Sequence, residues 1–143
     1  MFMFNLLDAS SLSAGGSTFV TLGDSFIIKL PSTLSIKSTI SGTDYATPDA
    51  AFTAAAWVHV SFIYKLKTTV YKVFVNGVEV LSQTVTPFPG ISKTLFSGVG
   101  NTLLKNVQLF ARGLPLTYVR HSINSKMDAT KFFRTVVYYY PLD

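Results

Sequence analysis

Apolar and polar side chains alternate along the most regular stretch of the chain, residues 57–64. The apolar positions on one side of this alternation are Val58, Val60, Phe62 and Tyr64. A period of two places such side chains on one face of a β-strand. Residues 70–75 are β-branched or aromatic except for Lys72, which is typical of a strand covered on both faces. The pattern therefore predicts two neighbouring strands of one sheet.

The strongest short-range signal is the dipeptide Asn76-Gly77, which directly follows the second of these strands. Both central residues of a type I′ turn need a positive φ, and Asn followed by Gly adopts that conformation at the lowest steric cost. Residues 78–84 then supply a return strand. We therefore predict a tight β-hairpin centred on Asn76 and Gly77.

Short apolar runs separated by turn residues fill the rest of the chain. Strands are predicted at residues 19–22, 26–30 and 33–40, and loops at 8–18, 41–49, 87–90 and 124–130. Residues 50–56 fit either a helical turn or a strand, and residues 91–99, 103–110 and 116–123 fit further strands or a short helix. Short strands with turn chemistry between them predict an all-β fold, an antiparallel two-sheet β-sandwich or jelly roll.

The composition is apolar and weakly charged for a chain of 143 residues, which is the length of one domain. Hydrophobic residues make up 48% and charged residues 13% of the sequence. Monomeric proteins rarely expose large apolar patches, so this balance favours a surface covered by partner subunits. The alternative is a poorly soluble sandwich without such partners. No apolar run is long enough to span a bilayer.

We predict a single domain over residues 1–143, with arms at its two ends, residues 1–7 and 131–143. The N-terminal segment has alternating apolar side chains, which predict either a first strand or an arm that docks on a neighbouring subunit. The C-terminal segment is rich in Phe, Val and Tyr, which suit a core strand, a subunit interface or a ligand platform. The interface residues predicted from the two segments are Phe2, Phe4, Phe132, Phe133, Tyr138, Tyr139 and Tyr140.

A known signature runs through the central part of the chain: a Trp, one residue, His-Val, an alternating strand that ends in Tyr, and a strand that runs into Val-Asn-Gly-Val. Its signature residues here are Trp57, His59, Asn76 and Gly77. The pattern resembles the laminin G-like domains of the concanavalin A-like lectin and glucanase superfamily. Residues 106–116 resemble the family's closing strand and turn, so the resemblance covers about residues 57–123. It implies a two-sheet sandwich, and its motifs are structural.

Two departures from the family pattern concern calcium. Family members often carry acidic residues in the turn after the Tyr and at the start of the closing strand, whereas this chain has Lys65, Lys67 and Lys105 there. Basic side chains at these edges argue against a calcium site, and we predict no metal and no cofactor. The three lysines could cluster at one end of a sheet, and the alternative that we favour is a solvated rim. Since the other basic residues are scattered, the net charge of +5 predicts mild attraction to an anionic partner, with no specific nucleic acid.

Candidate catalytic groups are scarce. Glycosidases on a concanavalin-like fold need two carboxylates that flank the sugar bond. This chain has one glutamate, Glu79, and its six aspartates form no pair at strand spacing. His59 and His121 are far apart in the sequence, and neither a nucleophile elbow nor a phosphate-binding loop is present. We therefore predict that the protein is not an enzyme.

The function predicted from these features is structural. Apolar terminal segments, the absence of cysteine and of a signal peptide, and the weak charge favour a multi-copy component of a virus or phage particle, such as a capsid decoration or minor structural protein. Its partners would be protein subunits, as a homo-oligomer or larger assembly, and its location the virion or another large extracellular particle. The alternative is a carbohydrate-binding, lectin-like or adhesive module. That alternative predicts a glycan partner and exposed aromatic and amide groups in loops 41–49 and 86–93.

Overall fold

Side chains alternate between buried and half-buried along β1 (Phe2–Leu6) and β3 (Phe26–Leu30), as expected for strands whose one face meets an apolar core. The structure is a computed structural model. It describes residues 1–23, 25–65, 67–87, 95–97, 99, 101–105, 107–110 and 136–140.

In the described part of the chain, two five-stranded antiparallel sheets form the fold. The front sheet has the order β10 (Thr102–Lys105), β1, β6 (Trp57–Lys65), β7 (Val70–Val75) and β8 (Val78–Thr84). The back sheet has the order β5 (Thr43–Ala46), β4 (Lys37–Ile40), β3, β2 (Ser17–Thr21) and β9 (Leu95–Phe96). A further antiparallel pair joins β11 (Val107–Phe110) to β12 (Val136–Tyr140). The predicted all-β antiparallel sandwich is confirmed.

The core between the two sheets is aromatic at its centre. The ring of Phe2 lies 5.7 Å from Phe19 and 5.3 Å from Phe96, with edge-on contacts to both. Tyr71 of the front sheet is fully buried, and its hydroxyl lies 2.7 Å from the hydroxyl of Ser38 in the back sheet. Burial raises the pKa of Tyr71, so the phenol stays protonated and this hydrogen bond links the two layers.

The N-terminal segment is not an arm. Residues 2–6 form β1, which lies between β10 and β6 inside the front sheet. Phe2 and Phe4 are 5% and 1% exposed, in the core of this same chain. The interface prediction for these two residues is therefore wrong: both rings are already covered by their own chain, and the strand alternative, left open by the alternation, is the one observed.

The C-terminal segment contains a strand at residues 136–140. The backbone of Tyr138, Tyr139 and Tyr140 pairs with β11 in the same chain, so these residues are in a strand of this fold. Phe132 and Phe133 lie outside the described residues. A role of the five aromatic residues in an interface stays a prediction.

Two tight hairpins close the strand pairs β7–β8 and β4–β5. Asn76 and Gly77 have φ values of 49° and 80°, which confirms the predicted turn. The side-chain oxygen of Asn76 also accepts a hydrogen bond of 2.9 Å from the backbone N–H of His59. Ser41 and Gly42 have φ values of 49° and 83° and form a second hairpin turn inside the predicted loop 41–49.

Two further expectations are corrected. The strand predicted at 33–40 begins only at Lys37, because Leu34 takes a positive φ of 56° in a turn after Pro31. Residues 50–56 form turns and bends, in which Ala50 and Ala55 also have a positive φ, and neither a helix nor a strand. None of the described segments contains a helix that is long and apolar enough to cross a membrane.

Candidate functional site

The two loops predicted to carry a ligand lie in contact with each other. The hydroxyl of Ser41 donates a 3.0 Å hydrogen bond to the carbonyl oxygen of Pro87. The backbone N–H of Thr86 donates a 3.0 Å hydrogen bond to the hydroxyl of Tyr45. Residues 88–93 of the second loop lie outside the described residues.

This contact holds the two loops to each other, and we call it the joint. Hydrogen bonds from Thr86 hold the pKa of Tyr45 below its usual value, and the ring of Tyr45 is half-buried against the core. Asp44, beside it, accepts a 2.6 Å hydrogen bond from Thr39 and lies 3.1 Å from the ammonium of Lys37. These interactions lower the pKa of Asp44 and occupy its carboxylate. The polar groups of the joint are thus engaged within the chain.

The outer face of the front sheet, which points away from the core, is shielded at its centre. His59, Ser61 and Phe74 share this face by register, and they are only 2%, 2% and 4% exposed. Burial lowers the pKa of His59 to about 4, with the charge of the N-terminal amine as a further cause. His59 is therefore neutral at pH 7. That His59 belongs to the scaffold stays a prediction.

One end of the same face is open, and we call it the Trp57 surface. Leu103, Asn5 and Trp57 form one row across β10, β1 and β6, about 10 Å wide at the usual strand spacing. Leu7, directly beyond β1, and Lys105 complete the surface. Trp57, Leu103 and Leu7 are 39%, 47% and 49% exposed, among the few large apolar side chains of the described residues that face solvent.

Polar groups accompany the apolar side chains of the Trp57 surface. The ammonium of Lys105 lies 3.9 Å from the centroid of the Trp57 ring, within the range of a cation–π interaction. The side-chain oxygen of Asn5 is buried, and no described residue donates a hydrogen bond to it. The surface thus combines an aromatic ring with an ammonium group, and the oxygen of Asn5 is buried beside them.

Lys65 and Lys105 do not lie at the same end of the sheet, so the possible cluster with Lys67 is not formed. Lys105 pairs with Met3 and reaches Trp57 at the start of β6, whereas Lys65 is the last residue of that nine-residue strand. At the usual rise per residue the two ends of β6 are roughly 25 Å apart. Within the described residues, no group of three or more His, Asp or Glu side chains gathers in a way that could hold a metal ion.

A family model matches most of the chain. The model describes concanavalin A-like lectins and glucanases, in a laminin G-like family, and it matches residues 7–114. The chain belongs to the concanavalin A-like lectin/glucanases superfamily. The order of Trp57, His59 and the Asn76-Gly77 hairpin in the sequence anticipated this membership, and the matched region extends further towards the N-terminus than that signature.

Among solved structures, the fold is similar to a crystal structure from Bacteroides ovatus ATCC 8483, described as that of a candidate carbohydrate-binding protein. The TM-score is 0.75 and the sequence identity 13%, which supports a shared fold alone. The similarity covers 99% of this chain and 44% of the other, so this chain spans less than half the length of that protein. A search of curated proteins finds no match.

Sequence reasoning missed the Trp57 surface. It assigned Trp57 a structural role and considered Lys105 only as a replacement for a calcium ligand. A signal was available: Trp57 shares the parity of His59 and Ser61 and not that of Val58, Val60 and Phe62, which places it on the outer face. Its partners across the sheet come from β1 and β10, and nothing in the local sequence around Trp57 indicates them.

Proposed function

We propose that this chain is a non-enzymatic carbohydrate-binding module and that the Trp57 surface holds the glycan. The observation that carries the proposal is the exposed indole of Trp57, with Lys105 and Asn5 beside it. The C–H face of a sugar ring stacks on an indole, and its hydroxyls bond to neighbouring amides and charged groups. A few polar groups around an apolar contact is the usual composition of a ligand site.

Family membership and fold support the same proposal. The superfamily contains lectins, and the similar protein from Bacteroides ovatus is described as carbohydrate-binding. The superfamily also contains glucanases. A non-catalytic role is supported by the sequence, in which a single glutamate and scattered aspartates supply no pair of carboxylates at strand spacing.

Binding of the full chain to a glycan panel, followed by calorimetry on the best ligands, tests the proposal. We expect saturable binding that Trp57→Ala weakens at least about tenfold, since one lost stacking contact of this kind corresponds to about 1.4 kcal/mol or more. Trp57→Phe should retain part of the affinity. Val78→Ala is the matched control, because Val78 is 63% exposed and lies on β8, at the opposite edge of the front sheet from β10.

Two results would contradict the proposal in different ways. If no glycan binds, the carbohydrate-binding function is wrong. If a glycan binds and Trp57→Ala has no effect, the function stands and the site is misplaced. In that second case Tyr45→Phe and Thr86→Ala, which alter the joint of the two predicted loops, are the next variants to measure.

Assembly on a virus or phage particle, predicted from the composition, is the second candidate. The observation that favours it is the same row of exposed apolar side chains, because Leu7 and Leu103 suit a protein contact as well as a sugar. Nothing in the comparisons indicates such a particle, and the predicted location on a virion stays a prediction with it. The native mass by light scattering tests this candidate: a monomer that stays monomeric at high concentration contradicts it.

A further inference from the structure

The charge of the Trp57 surface indicates the class of glycan. Lys105 is the cation of the surface, and its ammonium contacts the ring of Trp57. The ion pairs of the described residues lie elsewhere, between Lys37 and Asp44 and between Lys72 and Glu79. Within the described part of the chain, therefore, no carboxylate neutralises Lys105. A cation–π contact at an exposed ring is weak, so an anionic partner would compete well for this ammonium.

The acidic residue nearest in sequence to this surface is already occupied. Asp8 follows Leu7, and its two carboxylate oxygens accept hydrogen bonds of 2.9 Å from the backbone N–H and the hydroxyl of Ser10. These bonds also hold the pKa of Asp8 below its usual value, so it remains a stable anion within its own turn. The anion that suits Lys105 must then come from outside this turn.

The exposed apolar side chains complete the chemical description of the ligand. Trp57 and Leu103 are 39% and 47% exposed and flank Asn5 in one row. One ligand that offers an apolar ring face and an anionic group would contact Trp57 and Lys105 at once.

We propose that the glycan of the Trp57 surface is acidic, a uronate whose carboxylate pairs with Lys105 while its ring packs on Trp57. This inference rests on the proposed carbohydrate-binding function and adds the substrate class to it. The net charge of +5 favours the approach of a polyanion in general. Because Lys105 lies next to Trp57, the preference for an acidic glycan should depend on this one charge and not on the net charge of the chain.

The test measures binding of the full chain to a panel of oligosaccharides of galacturonate, glucuronate, mannuronate and guluronate. Each is compared with its counterpart in which the carboxyl groups are reduced to primary alcohols. We expect at least one uronate oligomer to bind about tenfold or more tightly than its reduced counterpart. Lys105→Gln should remove this preference, because it should weaken binding of the uronate oligomer about tenfold more than binding of its reduced counterpart, whereas Lys105→Arg should keep the preference.

Lys29→Gln is the matched control for non-specific charge, since Lys29 lies on the outer face of the opposite sheet. Equal weakening by Lys29→Gln and Lys105→Gln would overturn the proposal, because the preference would then come from net charge. Equal affinity for every uronate and its reduced counterpart would overturn it too and leave the carbohydrate-binding function standing. If neither these sugars nor neutral glycans bind, the proposed function itself fails.

Discussion

The outer faces of the two sheets arise from the same alternation of side chains, but they differ in chemistry. On the front sheet the outward positions include His59, Ser61 and Phe74, which are buried, and Trp57, which is exposed. On the back sheet, β3 and β4 place Lys29 and Lys37 directly opposite each other, with Thr39 and Asp44 beside them.

The comparison shows that a side chain on the outer face of a sheet is not always exposed in this fold. Two like charges directly opposite each other are unfavourable, and Asp44 offsets this on the back sheet through its ion pair with Lys37. An outer face with paired charges, such as that of the back sheet, can remain in contact with water. The front face instead has a shielded centre and an open aromatic end, which is the arrangement expected where a partner or ligand binds.

The largest effect is expected from truncating the buried aromatic ring of the front outer face. Phe74→Ala should lower the free energy of unfolding by about 3–5 kcal/mol, because the ring is 4% exposed and leaves a cavity. Ile27→Ala, a half-buried apolar position on the back outer face, should cost only about 1 kcal/mol. Urea denaturation of both variants measures this. Equal costs would remove the distinction between the two faces.

The next largest effect concerns the stability of the protein at acidic pH. His59 has a pKa of about 4 in the folded chain against an ordinary value of 6.5, so between these values only the unfolded chain binds the proton. The stability that neutral His59 allows is fully present above pH 6.5 and is lost as the pH falls to 4, by about 3 kcal/mol. His59→Gln should reduce the slope of the stability curve over this range, to which the buried N-terminal amine, with its pKa lowered to about 5, also contributes. Ser61→Ala, on the same face, should leave the slope unchanged. An unaltered slope in His59→Gln would show that the face is not shielded.

Substitutions in the hairpin turns of the two sheets should also lower the stability by different amounts. Asn76→Ala should cost about 2 kcal/mol, because it removes a residue suited to positive φ and the hydrogen bond to the backbone N–H of His59. Ser41→Ala, at the corresponding turn position of the back sheet, should cost about 0.5 kcal/mol, since its hydrogen bond to Pro87 is exposed. Thermal unfolding of both variants gives the comparison. A larger loss in Ser41→Ala would indicate that the contact between the two loops stabilises the fold more than the front hairpin does.

The smallest effect on stability is expected from removing a charge on the outer face of the back sheet. Asp44→Asn should lower stability by about 0.5–1 kcal/mol, because the ion pair with Lys37 is partly exposed and the opposed lysines lose their counter-charge. The loss should shrink in high salt, where exposed charges are screened. Chemical denaturation at low and high ionic strength checks both statements. A loss that is independent of salt would mean that the hydrogen bond from Thr39 is the main contribution of Asp44.

The two hairpins show how far local sequence can be interpreted. Asn76-Gly77 was predictable because both residues favour the required positive φ. Ser41-Gly42 also has a positive φ at both positions, but a Ser at the first position does not indicate such a turn. The short strand after Ser41 was therefore expected to be loop. The N-terminal strand was predictable as a strand from its alternation, but its neighbours in the sheet were not, and its burial contradicts the interface expected for Phe2 and Phe4.

The sequence by itself determined the all-β class, the front hairpin, the superfamily and the shortage of acidic groups, because turn preference, alternation and composition act over a few residues. Only the tertiary structure decided which strands become neighbours. It brought β10 and β1 beside β6 and so placed Asn5 and Lys105 next to Trp57. It also shielded His59 on a face that alternation alone marks as outward. Both outcomes depend on contacts between residues distant in sequence, which no local pattern contains.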